Sequence, residues 1–207
     1  MVEVGEITLR DAFRSDVDRV HAARQGDLQA FNDLVLAYQD GLYQWVYYLV
    51  GDSAQAEDLT QSVFLTAYEK LHTFRGDSFR AWLFRIARNR SYDLLRRRRS
   101  HPMISLDQTA SEDDDREMLD NLPDEAPDPE KLVERREQKQ AIQLLLDRLP
   151  ADHRHALELV DMNELDYQEA AFVLGIPMGT LKSRLARARA KFSDLAVASG
   201  LLPVLGV

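Results

Sequence analysis

The 207-residue chain contains no cysteine. Disulfide scaffolds, cysteine-ligated zinc and a thiol nucleophile are thereby excluded. No apolar run approaches the roughly 18 residues that a membrane-spanning helix needs. The stretch from Met1 to Asp18 is too charged for a secretory leader, so a cytoplasmic protein is expected. Alternation of apolar and polar residues, the mark of a half-buried strand, is missing throughout. Chemistry is missing too: there is no Gly-rich phosphate loop, no nucleophile elbow and no His-Glu motif on a helix. His153 and His155 stand two apart on a helix and point different ways. No catalytic residue, metal or cofactor is expected.

What is present is an uneven charge. The net charge is −9, which taken alone argues against a nucleic-acid partner, but distribution matters more than the sum. From Arg75 to Ser100 nine Arg stand against Asp77 and Asp93, a local +7. From Ser105 to Glu130 eleven acids face only Arg116, a local −10. From Thr180 to Lys191 five cations and no acid give +5. Two basic blocks flank an acidic spacer.

Outside that spacer the period is helical. Leu28, Phe31, Leu34, Val35, Tyr38, Leu42, Trp45, Val46 and Leu49 recur at three- and four-residue steps and predict one long amphipathic helix. Gly51 closes it. Asp52 caps the next helix, with Gln55 placed for a capping box, and Leu59, Val63, Ala67 and Leu71 form its buried stripe. Arg75-Gly76-Asp77-Ser78 reads as a loop, and a further helix runs from about Phe79 to Arg99. His101 to Asp128, acidic and carrying Pro102, Pro123 and Pro127, buries too little to order itself and reads as a flexible linker. Helices resume from about Pro129 to Leu149, Ala151 to Asp161, Tyr167 to Leu174 and Met178 to Ala198. The expected fold class is therefore all-α: a helical domain over 1–100, an acidic linker over 101–128, a second helical domain over 129–199, and an apolar tail over 200–207.

Two helices carry a basic face. On the first, Arg85, Arg88, Tyr92, Arg96 and Arg99 share a stripe bordered by Asn89, opposite Phe79, Trp82, Leu83, Ile86 and Leu94. Cations neutralise phosphates, a Tyr stacks on an unpaired base and an Asn pairs with a base edge; a solvated cationic surface has the same pattern. The second follows Gly175, whose tolerance of a left-handed conformation suits the turn of a helix-turn-helix. Leu181, Leu185, Ala188, Phe192 and Leu195 make its packed side. Ser183, Ala186, Arg187 and Ala190 lie opposite, flanked by Lys182, Arg184, Arg189 and Lys191. Small and cationic residues allow close approach to base edges in the major groove. Thr180 and the first amides of the helix would meet a phosphate.

The segment Ala56-Glu57-Asp58-Leu59-Thr60-Gln61-Ser62-Val63-Phe64, followed by Phe74-Arg75-Gly76-Asp77-Ser78-Phe79-Arg80-Ala81-Trp82-Leu83-Phe84-Arg85-Ile86-Ala87-Arg88-Asn89, resembles region 2 of bacterial sigma factors. Leu149-Pro150 through Arg189 resembles region 4. A chain with only these regions is similar to the extracytoplasmic-function (ECF) group of the sigma-70 family, from about Asp27 to Leu195. The resemblance implies a subunit that binds core RNA polymerase, on the largest subunit's clamp helices and on the flap, and directs it to promoter DNA. Asp58, Gln61 and Ser62 occupy the docking positions, Ser62 where an acid is common. Phe74, Arg75, Asp77 and Ser78, with Asn89 beside them, occupy the loop that captures a base flipped from the −10 strand, and Arg85, Arg88, Tyr92 and Arg96 continue that face. Trp82 stands at the first of two strand-melting aromatics and Leu83 at the second, although the apolar stripe claims Trp82 more strongly for the core. Thr180, Lys182, Ser183, Arg184, Arg187 and Arg189 fall on the part that reads the −35 duplex. The linker would thread the polymerase, and an anti-sigma protein is an implied partner. The alternatives from other classes are a stand-alone DNA-binding regulator and a helical adaptor.

Overall fold

The computed structural model describes residues 9–76, 78–100 and 141–200, with side chains from residue 16 onward and, in the fourth helix, up to residue 98. Among these residues every regular element is helical, as the sequence pattern predicts. The linker over 101–128, the helix start at Pro129, Asp77 and the tail beyond Gly200 lie outside the described residues.

Four helices build the N-terminal unit: α1 (Leu9–Arg24), α2 (Leu28–Val50), α3 (Ser53–Lys70) and α4 (Phe79–Ser100). Their ends follow local chemistry. The Asp27 carboxylate accepts from the Gln29 and Ala30 amides at 2.9 and 3.1 Å, satisfying donors that a helix start leaves open. Gly51 ends α2 at φ +72°, its N–H bonded to the Tyr47 carbonyl. Asp52 accepts from the Gln55 amide at 2.9 Å, but Gln55 Oε1 is buried without a partner, so the reciprocal half of the expected capping box is not made. Ser78 caps α4 by accepting from the Ala81 amide at 3.1 Å.

The stripes read from the sequence are buried at Leu34, Leu42, Trp45 and Val46 of α2, Val63 and Ala67 of α3, and Phe79 and Leu83 of α4, where the buried Phe84 joins a stripe that did not include it. Leu28 departs from its stripe and is 65% exposed, because it opens α2 ahead of the first turn that meets the bundle. Arg24 ties α1 to the segment after α3, donating to the carbonyls of Leu71 and Phe74.

The C-terminal unit comprises a helical stretch over 141–146 (α5), α6 (Ala151–Leu157) running into a π-helical turn (Glu158–Met162), α7 (Tyr167–Leu174) and α8 (Met178–Ala198). The regular helix expected up to Asp161 thus widens after Leu157. Asn163 accounts for the widening, because both its amide N–H and its Nδ2 donate to the Glu158 carbonyl, at 2.9 and 3.0 Å, five residues back.

The apolar residues of this unit divide between two places. Leu146, Leu149, Leu157, Leu185 and Ala188 form a core of their own. Ala156, Leu159, Leu165, Ala170, Ala171, Val173, Leu174 and Leu181 join the core of the N-terminal bundle instead. Each large aliphatic side chain so buried contributes about 1.5–3 kcal/mol. The two units therefore meet across a packed seam, made chiefly where α7 lies against α4.

Candidate nucleic-acid interface

The helix-turn-helix is fixed by its punctuation. Asp166 and Glu169 form a full capping box at the start of α7: the Asp166 carboxylate accepts from the Glu169 amide and the Glu169 carboxylate from the Asp166 amide, both at 2.8 Å. Gly175 ends α7 at φ +63°, where a Cβ would be strained, and Pro177 precedes the first turn of α8. Leu181 and Leu185, both buried, set the rotation of α8. That rotation leaves Lys182, Ser183, Ala186, Arg187 and Ala190 exposed on the outer side.

The residues predicted for the −35 duplex do not behave alike. Arg184 is partly buried and pairs with Asp152 of α6 at 2.8 Å. Arg189 is held by Asp161, with Nε 2.9 Å from Oδ2. Ser183 donates its hydroxyl to the Thr180 carbonyl at 2.9 Å. Lys182 lies 6.0 Å above the Tyr167 ring, and Arg187 has no ion pair among the described residues. Lys182 and Arg187 are thus the cations of the face with no ion pair among the described residues, whereas Arg184 and Arg189 are aimed by carboxylates that also trim its charge.

The basic face of α4 is built differently. Asn89 and Tyr92 are exposed, and the Arg88 guanidinium lies 4.8 Å above the Tyr92 ring. Arg96 pairs with Asp93 on the same helix. Arg85 stacks 4.1 Å above the ring of Phe172, which belongs to α7. In the loop before α4, Phe74 is buried against Phe79 and Trp82, with ring centroids 6.1 and 5.2 Å apart. Arg75 donates to the carbonyls of His72 and Phe74, at 2.8 and 3.3 Å. Phe74 and Ser78 therefore shape this loop from inside, one as a core wedge and one as a helix cap. Trp82 is partly buried on the same aromatic cluster and Leu83 fully buried, in keeping with the core reading of both.

On α3, Asp58 and Gln61 are exposed one turn apart. Ser62 turns inward and accepts from Arg90 of α4. Leu65, 66% exposed, and the exposed Tyr68 continue the Asp58–Gln61 stripe. Sequence reasoning missed both; the signal was an apolar Leu65 standing off the Leu59–Val63–Ala67 stripe.

Two groups beside the seam have displaced protonation. Glu158 is buried, and burial pushes its carboxyl from 4.5 up to about 8 against the opposing pull of Arg154. Arg154 Nε lies 3.5 Å from Glu158 Oε1 without a hydrogen bond, since its other nitrogens are spent on Asp147 and on the Tyr48 carbonyl, each at 2.9 Å. His155 packs edge-on against Trp45 at 5.3 Å. Burial, assisted by Arg154, lowers its imidazole from 6.5 to about 4. Among the described residues no group of three or more His, Asp or Glu is placed to hold a metal ion.

Comparison with known proteins agrees with this geometry. Residues 34–101 match the family Sigma-70 region 2, and residues 139–192 match Sigma-70, region 4. The RNA polymerase sigma-H factor of Pseudomonas aeruginosa is 37% identical over 177 residues, which cover 84% of this chain and 90% of that one. The ECF RNA polymerase sigma factor SigE of Mycolicibacterium smegmatis is 34% identical over 82% of this chain, although the match spans only 63% of that longer protein. Among solved structures, the sigma factor RpoE in complex with the anti-sigma factor NepR from Bartonella quintana is 27% identical, with a TM-score of 0.58 over 81% of this chain and 97% of that one. With both regions in order on one helical chain, the protein belongs to the extracytoplasmic-function group of RNA polymerase sigma factors in the sigma-70 family.

Proposed function

We propose that the chain binds core RNA polymerase, carries it to promoters through two DNA contacts, and performs no bond-making chemistry of its own. The observation that supports this best is the outer face of α8: a helix whose rotation is locked by Leu181 and Leu185 presents Lys182, Ser183, Ala186 and Arg187 to solvent behind a glycine turn. Arg184 and Arg189, oriented by Asp152 and Asp161, border the face that meets the −35 duplex. Bidentate recognition by one such Arg discriminates between bases by about 1–3 kcal/mol.

Asn89, Tyr92, Arg85, Arg88 and Arg96 form the surface for the opened −10 strand, with Phe74, Arg75 and Ser78 shaping the loop beside it and Asp77 assigned to the same strand from sequence. Asp58 and Gln61, extended by Leu65 and Tyr68, dock on polymerase; Ser62 acts from behind by joining α3 to α4. Each unit alone grips DNA weakly, and carrying both on one polymerase raises their effective concentration. The chain works where polymerase and chromosome are, in the cytoplasm. An anti-sigma protein is its proposed regulator, in keeping with the partner of the Bartonella relative.

The test is run-off transcription with purified core polymerase on a genomic DNA library. The wild-type chain is expected to yield discrete start sites. Asp58→Arg should abolish co-purification with core while the helical circular dichroism is retained. A stand-alone regulator would bind DNA as before after that change, and such a result would overturn the reading.

A further inference from the structure

The residues given to the −10 strand all follow α3, yet the loop among them is held from α1. The match to Sigma-70 region 2 begins at residue 34, beyond the end of that helix. Val20 and Ala23 are buried in the bundle core and fix the rotation of α1. Arg24, next in its last turn, reaches from there to the segment after α3. Its Nε donates to the Leu71 carbonyl at 3.0 Å, and its Nη2 donates to the Phe74 carbonyl. The same guanidinium stands 5.9 Å from the centre of the Phe74 ring.

A helix end leaves its last carbonyls without partners in the helix. After α3, arginine side chains take three of them. Arg24 takes Leu71 and Phe74, and Arg75 takes His72 and Phe74, at 2.8 and 3.3 Å. The bonds of Arg75 stay within three residues and cannot fix the segment against the bundle. Those of Arg24 come from 47 and 50 positions away. Both guanidinium groups donate to one neutral oxygen, and among the described residues neither pairs with a carboxylate. Like charges so placed repel each other. A plain phosphate contact by Arg24 is the rival role, and its geometry counts against it: Nε and Nη2 are already spent on carbonyls.

We propose that Arg24 is a positioning residue for −10 recognition, which holds the 71–76 segment from outside in the shape that receives a base of the opened strand. It acts through the Leu71 and Phe74 carbonyls and not by touching DNA. The role rests on the −10 reading of that loop; the hold itself does not. A site that is competent only part of the time binds more weakly by that fraction, so a loop released from α1 captures its base less well. The planar fork of Arg spans two acceptors three residues apart, whereas the ammonium of Lys donates from a single nitrogen. Arg24→Lys therefore keeps the charge and gives up the hold.

The test uses the full chain bound to core polymerase and a pool of single-stranded DNA of random sequence, whose retained strands are sequenced. The wild-type chain should enrich a preferred base at the capture position. Arg24→Lys and Arg24→Gln should each weaken that preference by roughly tenfold, as expected when the competent fraction falls that far, with helical circular dichroism and binding to core unchanged. Full preference in Arg24→Lys would show that charge alone suffices and would overturn the positioning role. Retention that falls evenly on every sequence in both variants would make Arg24 a phosphate contact and would overturn it too. A wild-type chain that enriches no base removes the −10 reading, and with it the role given to Arg24. Hydrogen exchange then still decides the hold. Faster exchange over residues 71–76 in Arg24→Lys, with the rest of the bundle unchanged, supports it; equal exchange refutes it.

Discussion

Glu158 is a carboxyl group held where its charge is unwelcome, and the consequence is measurable. Its folded value of about 8 lies above its ordinary 4.5, so between these limits the folded chain keeps a proton that the unfolded chain has released. Stability from this group is therefore lost as pH rises through that window. His155 has the opposite sign: its folded value of about 4 lies below 6.5, so stability is lost as pH falls through 6.5 towards 4. The two slopes oppose one another from pH 4.5 to 6.5, and Glu158 acts alone above that. Urea unfolding should show stability falling between pH 6.5 and 8, by at most about 1.4 kcal/mol per pH unit. Glu158→Gln should flatten that limb; an equally steep limb in the variant would assign the loss to other groups. The titrating carboxyl could not have been read from the sequence, where Glu158 is one of 35 acids and nothing local marks it as buried.

At the scale of elements, legibility followed punctuation. The bounds of α7 and α8 were readable to the residue, because Gly175 and Pro177 stop one helix and start the next, and the 3.6-residue period of Leu181 and Leu185 is unbroken. Caps were read less well. Gln55 was expected to complete a box that it does not close, while the closed box at Asp166–Glu169 went unremarked. Both sites carry the same Asp-x-x-acid-or-amide spacing, and only packing decides whether the third residue turns back towards the cap. The π-helical turn was also invisible, since it depends on the Asn163 side chain finding a carbonyl five residues earlier. The cap that does form carries a prediction. Asp166→Ala removes the acceptor for the Glu169 amide and should destabilise the chain by about 1 kcal/mol, within the 0.5–2 range for such losses. Thermal unfolding measures it, and an unchanged midpoint would mean that α7 is held by its packing on α4 alone.

For the whole molecule, the two basic faces and the all-helical class were legible because each arises from neighbours within a turn or two. The relation between the faces was not, because its contacts join residues as far apart as Tyr48 and Arg154, 106 positions along the chain. The sequence suggested two units acting through a spacer, whereas the structure adds an intimate contact between them. Neither face alone reports it: Phe172 of α7 and Arg85 of α4 are both exposed, and only the folded chain sets one over the other. One consequence concerns light rather than binding. The chain has two tryptophans, and Trp45 is fully enclosed with His155 edge-on to its indole. Separation of the units admits water to that ring, so in a Trp82→Phe background the emission of Trp45 should shift to longer wavelength as urea parts them. An emission maximum that moves only together with the loss of helical circular dichroism would mean that the units part no earlier than they unfold. The protein would thus carry its own fluorophore at the contact between its two halves, and the kinetics of their parting could be followed by stopped flow without attaching a dye.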